Sequence, residues 1–466
     1  MELSLAEIAG ILGSVSGAPE RVAHSYSIDS RTLVPGALFF AITGPNFDGH
    51  AYVASALERG AAGAVVHREW AATAPVSLAP FLIGVADTVL ALQDLAKAVR
   101  RKWGRPVVAV TGSTGKTTAK ELIAAVLAGR YAVHKSAENL NNHLGVPLTL
   151  LALSNAHEVA VLEFGMSHAG EIARLAGIAA PALGVVTNVA PAHLEFFDSL
   201  EGIAAAKREL IDNLASPATA ILNYDDDRVL GFRQSFTGRV ATYGFGMGAD
   251  YRAVAYRLEK SGNSLQSIFR VRGPDCEAEF HLPLPGRHNV ANALAALAVG
   301  KLLGVSPGAT AGALAGFKPL PHRAEIVRAA SGGTLIDDSY NSNPRALDQM
   351  LELLRDWPGA TRRIALAGEM LELGPSSPEL HRVAGRHCAQ NRIDWLLAVQ
   401  GNARFMIEGA VEAGFLRGQA RFFAESMEAG RFCRSIVQAG DVVLVKGSRG
   451  VHLEKALEQL MDSGSG

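Results

Sequence analysis

Cysteine is scarce: Cys276, Cys388 and Cys433 are the three in 466 residues, far apart and odd in number. That excludes a disulfide framework and a cysteine-based zinc site, and it fits a reducing compartment. No charge sign dominates, since 44 Lys plus Arg face 45 Asp plus Glu for a net charge of −1. A general nucleic-acid binder would carry a basic excess, so no nucleic acid is expected as a partner, while a local basic pocket for a phosphorylated ligand remains compatible. Long apolar runs are missing too; none reaches the roughly 18 residues of a membrane span. The opening MELSLAEIAGILG carries Glu2 and Glu7 and no basic leader, so it does not read as a signal peptide. A cytoplasmic protein is expected, as a monomer. One further absence is local. In VVAVTGSTGKTT, Val107 to Thr118, a phosphate-loop pattern G-x-x-x-x-G-K-[ST] would place its first glycine at Val110.

What is present supports a large core, with 48% hydrophobic and 19% charged residues. The length is about three times a ~150-residue domain, which predicts two to four domains. Three blocks emerge. Residues 1–84 alternate the short apolar runs ALFFAIT, GAVVH and FLIGV with the helical AYVASALERGA, a small α/β unit. Residues 85–317 begin with a connecting helix, DLAKAVRRKWGRP, closed by Gly104 and Pro106. There PVVAV, EVAVLEF, ALGVVTN and TAILN read as strands, each followed by helical patterning, which predicts a mostly parallel, doubly wound sheet. A helix from about Thr118 should bury Leu122, Ile123, Val126 and Leu127, with Gly129 at its end. Residues 237–285 alternate as added antiparallel strands would. Residues 318–466 add buried strands in GGTLIDDSY, RIALAGEM, DWLLAVQG and DVVLVKGS, and end in a low-complexity SGSG. The fold class is α/β in three domains.

Candidate chemistry starts at the loop. Gly112 and Gly115, then Lys116, Thr117 and Thr118, lie between a buried strand and a helix. In that setting backbone N–H groups receive phosphate oxygens, Lys116 offsets β/γ-phosphate charge, and the Thr117 hydroxyl reaches Mg²⁺. The plainer alternative is an ordinary Gly/Ser/Thr turn. Glu163 closes an apolar strand at the edge where parallel sheets present ligand-facing groups, or is simply a solvated strand-end carboxylate. His193 lies just beyond another strand, where a lone histidine is more often structural. Lys207 lies on a helix whose buried face is marked by Ile203, Leu210 and Ile211, and on its own reads as exposed. In IDDSYNSNP, Asp337 and Asp338 precede a turn in which Ser342 or Asn343 could merely cap a helix. Lys446, Ser448 and Arg449 in VLVKGSRG suit an anion, or form a plain surface loop.

Taken together, TGSTGKTT, LEFGMSHAGEI, TNVAPAHLEFF, AAKREL, GRHNVANALAA, PHRAEIV and DDSYNSNP resemble the Mur ligases, nearly end to end and in order. These are the ATP-dependent amide-forming enzymes of peptidoglycan synthesis. SIDSRTLVPGALFFAITGPNFDGHAYV, NLNNHLGVPLTLL, LAGEMLELG and LVKGSRG look most like the members that add D-alanyl-D-alanine to UDP-N-acetylmuramoyl tripeptide. The resemblance implies a P-loop central domain flanked by a UDP-sugar-binding N-terminal domain and a Rossmann-like C-terminal ligase domain. It implies that Thr111, Gly112, Ser113, Thr114, Gly115, Lys116, Thr117 and Thr118 hold the ATP phosphates. Thr117 and Glu163 would serve Mg²⁺, with His193 at a second magnesium. Lys207 matches a lysine that relatives carbamylate. Asn289 and Asn292 match adenine-side contacts, while Asp338, Asn341 and Asn343 reach the ribose and active site. Ser30, Arg31, Thr43, Gly44, Phe47, Asp48 and His50 would cradle the UDP-sugar, with Asn141 and Asn142 nearer its phosphates or peptide. Two rivals stay in view: another Mur-superfamily ligase, third-residue-adding or folylpolyglutamate-type, and a non-catalytic P-loop ATPase switch. The stretch DDSYNSNP argues against the third-residue enzyme, whose corresponding segment usually reads more like DYAHTPD.

Overall fold

The computed structural model describes residues 1–137, 139–192, 194–261, 264–274 and 276–461. Three main sheets follow one another along the chain. The first is wholly parallel, in the order Ser25–Ser27, Ala37–Phe40, Gly63–His67, Leu82–Val85. Its carboxyl edge carries residues 28–31, 41–50 and 67, so the N-terminal ligand candidates share one rim. The helix Thr88–Trp103 then starts on an Asp87 cap and stops where Gly104 turns left-handed, at φ 69°. It buries Leu92, Leu95, Ala96 and Val99 in a cluster that joins the first sheet to the second.

The second sheet runs Val133–Lys135, Val159–Glu163, Val107–Thr111, Leu183–Val186, Thr219–Asn223, Arg239–Gly244, Tyr251–Ser261, Ser264–Gly273, Cys276–Leu282. Its central strands are apolar throughout because both faces are covered. Val107 and Ala109 point into one core and Val108 and Val110 into the other. Val110 is fully buried and stands in register with Glu163 and Val185, so this position is strand and needs no glycine. The chain leaves Val107–Thr111 for the strands on one side and later returns to the other. That reversal places a crevice at the carboxyl ends of Val107–Thr111 and Leu183–Val186.

The helix after the loop begins at Lys116, two residues before the expected start, and ends at Ala128. Leu122, Ile123, Val126 and Leu127 are buried as expected, whereas Gly129 keeps a right-handed φ of −67°. Arg239–Gly244 pairs parallel with Thr219–Asn223, contrary to the antiparallel expectation. A short helix, Asp227–Gly231, and a following turn bring the chain back in the same direction. Antiparallel pairing starts only between Tyr251–Ser261 and Ser264–Gly273.

The third sheet runs Glu325–Arg328, Thr334–Asp337, Val442–Lys446, Arg363–Gly368, Trp395–Val399, Ala420–Phe423, parallel except at its first strand. The edge strands Glu325–Arg328 and Ala420–Phe423 carried no clear apolar run and were not anticipated. Leu265, from the antiparallel hairpin of the second sheet, is buried in the core of the third, so the two units share packing. Cys388 and Cys433 are buried free thiols whose pKa burial raises to about 12. No helix among the described residues is long and apolar enough to cross a membrane. His193 and the SGSG tail lie outside the described residues.

Candidate active site

One cleft of about 1110 Å³ lies between the second and third sheets. Its floor is the glycine loop. Gly112 has φ 149°, and a Cβ there would overlap the Thr187 hydroxyl. Gly115 has φ 78°, and a Cβ would come within 2.8 Å of the Asn292 amide oxygen. The loop therefore presses against segment 187–190 on one side and the helix Arg287–Leu302 on the other. Segment 187–190 also grips it. The Ser113 N–H donates to the Asn188 carbonyl at 2.9 Å, and the Thr114 N–H to Asn188 Oδ1 at 3.0 Å. Thr187 Oγ1 donates to the Thr114 carbonyl at 2.6 Å. Thr187 and Asn188 carry no motif of their own, because their partner Thr114 lies 73 and 74 residues away in the chain.

Lys116 folds back over the loop, its Nζ donating to the Gly112 carbonyl at 2.9 Å. Burial lowers its pKa; the Glu163 charge opposes this and Arg323 adds to it. Ser113, Thr114, Gly115, Thr117 and Thr118 line the cleft. The Thr111 side chain does not, since its hydroxyl donates to the Phe164 carbonyl at 2.9 Å.

Glu163 is 2% exposed. Its Oε1 accepts from Asn141 Nδ2 at 2.9 Å, its N–H donates to Ser136 Oγ at 3.2 Å, and its Oε2 has no partner among the described residues. The solvated-carboxylate alternative is thereby excluded. Lys207 is likewise 2% exposed, against the reading of an exposed helix lysine. Ile203, Lys207, Leu210 and Ile211 form one buried stripe. Burial first, and then the charge of Lys116, hold the Lys207 pKa well below its usual value. A buried amine whose pKa is lowered and a buried, half-satisfied carboxylate thus line the same cleft.

Asn289 and Asn292, about one helical turn apart, are buried at the cleft, Asn292 against Gly115, while Asn289 Nδ2 donates to the Pro285 carbonyl at 2.8 Å. Asn141 lines the cleft beside Glu163, while Asn142 Oδ1 accepts from the Leu144 and Gly145 N–H groups at 3.1 and 2.9 Å.

The opposite wall comes from the third sheet. Asp338 accepts from the Ala324 N–H at 3.0 Å and from Lys446 Nζ at 2.5 Å. Lys446 also donates to the Asn341 carbonyl, so the cation suggested for an anion is committed to Asp338 and its turn. Asn341 Oδ1 accepts from the Ser342 N–H, and Asn343 caps the helix Pro344–Arg355 through the Ala346 N–H. The capping alternative for Asn343 is realised while the residue still borders the cleft. Ser448 is buried and Arg449 exposed. Arg323, given no role from sequence, reaches the cleft between His322 (φ 59°) and Ala324 (φ 54°). Left-handed non-glycine residues on both sides of Arg323 are strained, and nothing in PHRAEIV announces them. Arg323 lies over the Tyr340 ring at 4.1 Å.

The N-terminal candidates lie apart from this cleft. Thr43 Oγ1 donates to Asp48 Oδ1 at 3.0 Å within a small hairpin that also pairs Gly44 with Phe47. His50 is buried; its Nδ1 lies 2.6 Å from Asp48 Oδ1 and its Nε2 accepts from the His67 N–H at 3.0 Å. His50 thus braces the hairpin, and Phe47, 56% exposed, is the side chain offered outward. Ser30 is buried, and exposed Arg31 binds Asp29 through two nitrogens.

Residues 22–101, 110–300 and 322–449 match the models "Mur ligase family, catalytic domain", "Mur ligase middle domain" and "Mur ligase, glutamate ligase domain". A relative from Bacillus subtilis, named UDP-N-acetylmuramoyl-tripeptide--D-alanyl-D-alanine ligase, is 35% identical over 444 residues, 95% of this chain and 94% of its own. The chain belongs to the Mur ligase family. Among solved Mur ligases, MurF from Acinetobacter baumannii superposes with TM-score 0.89 at 29% identity, covering 99% of both chains. MurF from Thermotoga maritima in complex with ADP gives TM-score 0.82 at 28% identity over 94% of this chain and 97% of that one. The three-domain α/β arrangement of the Mur ligases is that of this chain.

Proposed function

We propose that this Mur ligase joins D-alanyl-D-alanine to the terminal carboxylate of UDP-N-acetylmuramoyl tripeptide, using ATP. The observation that carries the reading is the cleft itself. It sets a glycine-cradled phosphate loop beside a buried, half-satisfied carboxylate and a buried lysine whose pKa is lowered. Full-length likeness to named tripeptide–dipeptide ligases supports the substrate pair. The working division is 1–84 for the UDP-sugar, 85–317 for ATP and 318–466 for ligation.

The residues fit a divalent cation. Glu163 Oε2 is a buried oxygen with no partner among the described residues, and Mg²⁺ prefers oxygen ligands. Thr117 and Glu163 would hold one ion, with Lys207 and His193 at a second. When bound, the metal supplies charge neutralisation on the transferring phosphoryl group. Lys207 fits a carbamate: burial and the charge of Lys116 disfavour its ammonium form, the free amine is what reacts with carbon dioxide, and the product anion would turn repulsion from Lys116 into attraction.

The tripeptide carboxylate oxygen attacks the γ-phosphorus of ATP, and ADP leaves from the β–γ bridge. Lys116 and the N–H groups of residues 115–118, at the end of the loop and the start of the helix, hold the phosphates while charge gathers on them. The dipeptide nitrogen, freed of its ammonium proton, then attacks the acyl carbon, and phosphate departs as the C–N bond forms. Arg323 and the Asp338–Lys446 pair form the wall that closes over the acyl phosphate and keeps water out. Asn289 and Asn292 take the adenine side.

Phosphate release should require both UDP-N-acetylmuramoyl tripeptide and D-alanyl-D-alanine. A rate unchanged by the dipeptide defeats this reading and favours a P-loop ATPase switch.

A further inference from the structure

An arginine in the first turn of a helix opposes the helix dipole. Arg345 is such a residue: Asn343 caps the helix Pro344–Arg355, so Arg345 is its second helical position. Its counter-charge lies across the cleft, in the second sheet's unit. Arg345 Nη1 stands 3.3 Å from Asp226 Oδ2. Asp226 is 5% exposed.

The same oxygen, Oδ2, accepts from the Val189 N–H at 2.9 Å, while Oδ1 caps the helix Asp227–Gly231 through Val229. Val189 belongs to the segment that grips the phosphate loop. Two further groups hold this stretch of chain, one at Thr187 and one at Val186 just before it. Asn223 Nδ2 donates to the Thr187 carbonyl at 2.7 Å, and the Tyr243 hydroxyl to the Val186 carbonyl at 3.1 Å. Asn223 and Tyr243 belong to the second sheet itself. Asp226 alone of these three shares its accepting atom with a group from the third sheet's unit.

We propose that Arg345 is a positioning residue that couples seating of the C-terminal unit to the grip on the phosphate loop, through Asp226. With the C-terminal unit docked, the buried Asp226 carboxylate has a cationic partner. With it swung away, the charge is left with Val189 and its own helix cap, a costly state for a buried carboxylate. Docking is thereby favoured, and the oxygen that anchors Val189 is polarised only when the wall carrying Arg323 and Asp338 is in place. The inference rests on the ligase reading and adds how the two halves of its site are brought together.

The test uses Arg345→Gln, Asp226→Asn, the double variant and Arg345→Lys in the full chain. Each Gln or Asn variant should lower kcat by about tenfold, with the double variant no worse than either single, because the pair acts as one unit. Affinity for ADP, read by fluorescence of a labelled nucleotide, should stay within about twofold of the parent, and Arg345→Lys should recover most of the rate. Compaction on adding nucleotide and UDP-substrate, followed by small-angle scattering, should weaken in Arg345→Gln. Multiplying losses in the double variant, or nucleotide affinity falling as far as kcat, overturns the proposal. So does undiminished compaction in an Arg345→Gln protein that remains folded by circular dichroism. Failure of the ligase reading would show instead in the parent chain, as dipeptide-independent phosphate release.

Discussion

Glu163 and Asp338 both follow or close buried parallel strands at the edge of one cleft, and they are provided for in opposite ways. Glu163 keeps one oxygen without a partner among the described residues, deep in the second sheet's unit. Asp338, in the third sheet's unit, has a backbone N–H on one oxygen and a lysine on the other. An unsatisfied buried charge costs free energy until a ligand arrives, whereas a satisfied one supports the fold on its own. The wall with open valences is suited to chemistry, and the paired wall is suited to shape.

The largest expected effect removes the buried lysine that lines the same cleft. Lys207→Ala should lower ligation on the order of a thousandfold, with partial rescue by a short carboxylic acid that replaces the carbamate charge. Full activity in that variant would show that the lysine only packs. The next pair sets the two carboxylates against each other. Glu163→Gln should lower kcat by about a hundredfold while leaving thermal stability unchanged or raised, since an uncharged amide replaces a buried carboxylate with one oxygen unpartnered among the described residues. Asp338→Asn should instead lose about 3 kcal/mol of stability in denaturant titration, because the buried Lys446 loses its counter-charge and keeps only the Asn341 carbonyl. If Asp338→Asn keeps full stability and Glu163→Gln unfolds, the contrast between the walls is wrong.

A smaller effect is pH-dependent. Burial lowers the pKa of His288, which borders the cleft, from 6.5 to about 4; the Lys446 charge adds to this and Asp338 opposes it. The folded chain therefore binds fewer protons than the unfolded chain between those values. Stability present above pH 6.5 should be lost as pH falls toward 4. His288→Gln should flatten melting temperature against pH in that window, and an identical slope in both proteins would refute it. The smallest change is Asn343→Ala, which removes a helix cap and should cost about 1 kcal/mol in a melt.

The strands of the second sheet were legible because burial on both faces writes them as unbroken apolar runs, as in Val107–Val110 and Val159–Leu162. Glycines of the loop were legible because backbone that bears no side chain has a residue to itself. The burial of Lys207 was also on view, four residues after Ile203 and three before Leu210, yet a lysine's usual preference for water outweighed that spacing. The parallel pairing of Arg239–Gly244 was not legible, because it depends on a crossover too short to show helical periodicity. Arg345 and Asp226 meet across 119 residues, and each alone reads as a surface charge. The strained turn at His322 and Ala324 has no glycine to betray it.

Valine in place of the loop's first glycine has a metric consequence. Val110 and Glu163 are rungs of the same ladder, on strands about 4.8 Å apart. The phosphate cradle begins two residues after one rung, and the unsatisfied carboxylate is the other. Their separation is therefore calibrated by sheet hydrogen bonding instead of by loop conformation. A flexible glycine there would loosen that calibration, whereas a β-branched residue sealed into the sheet keeps the gap between grip and charge the same in every molecule.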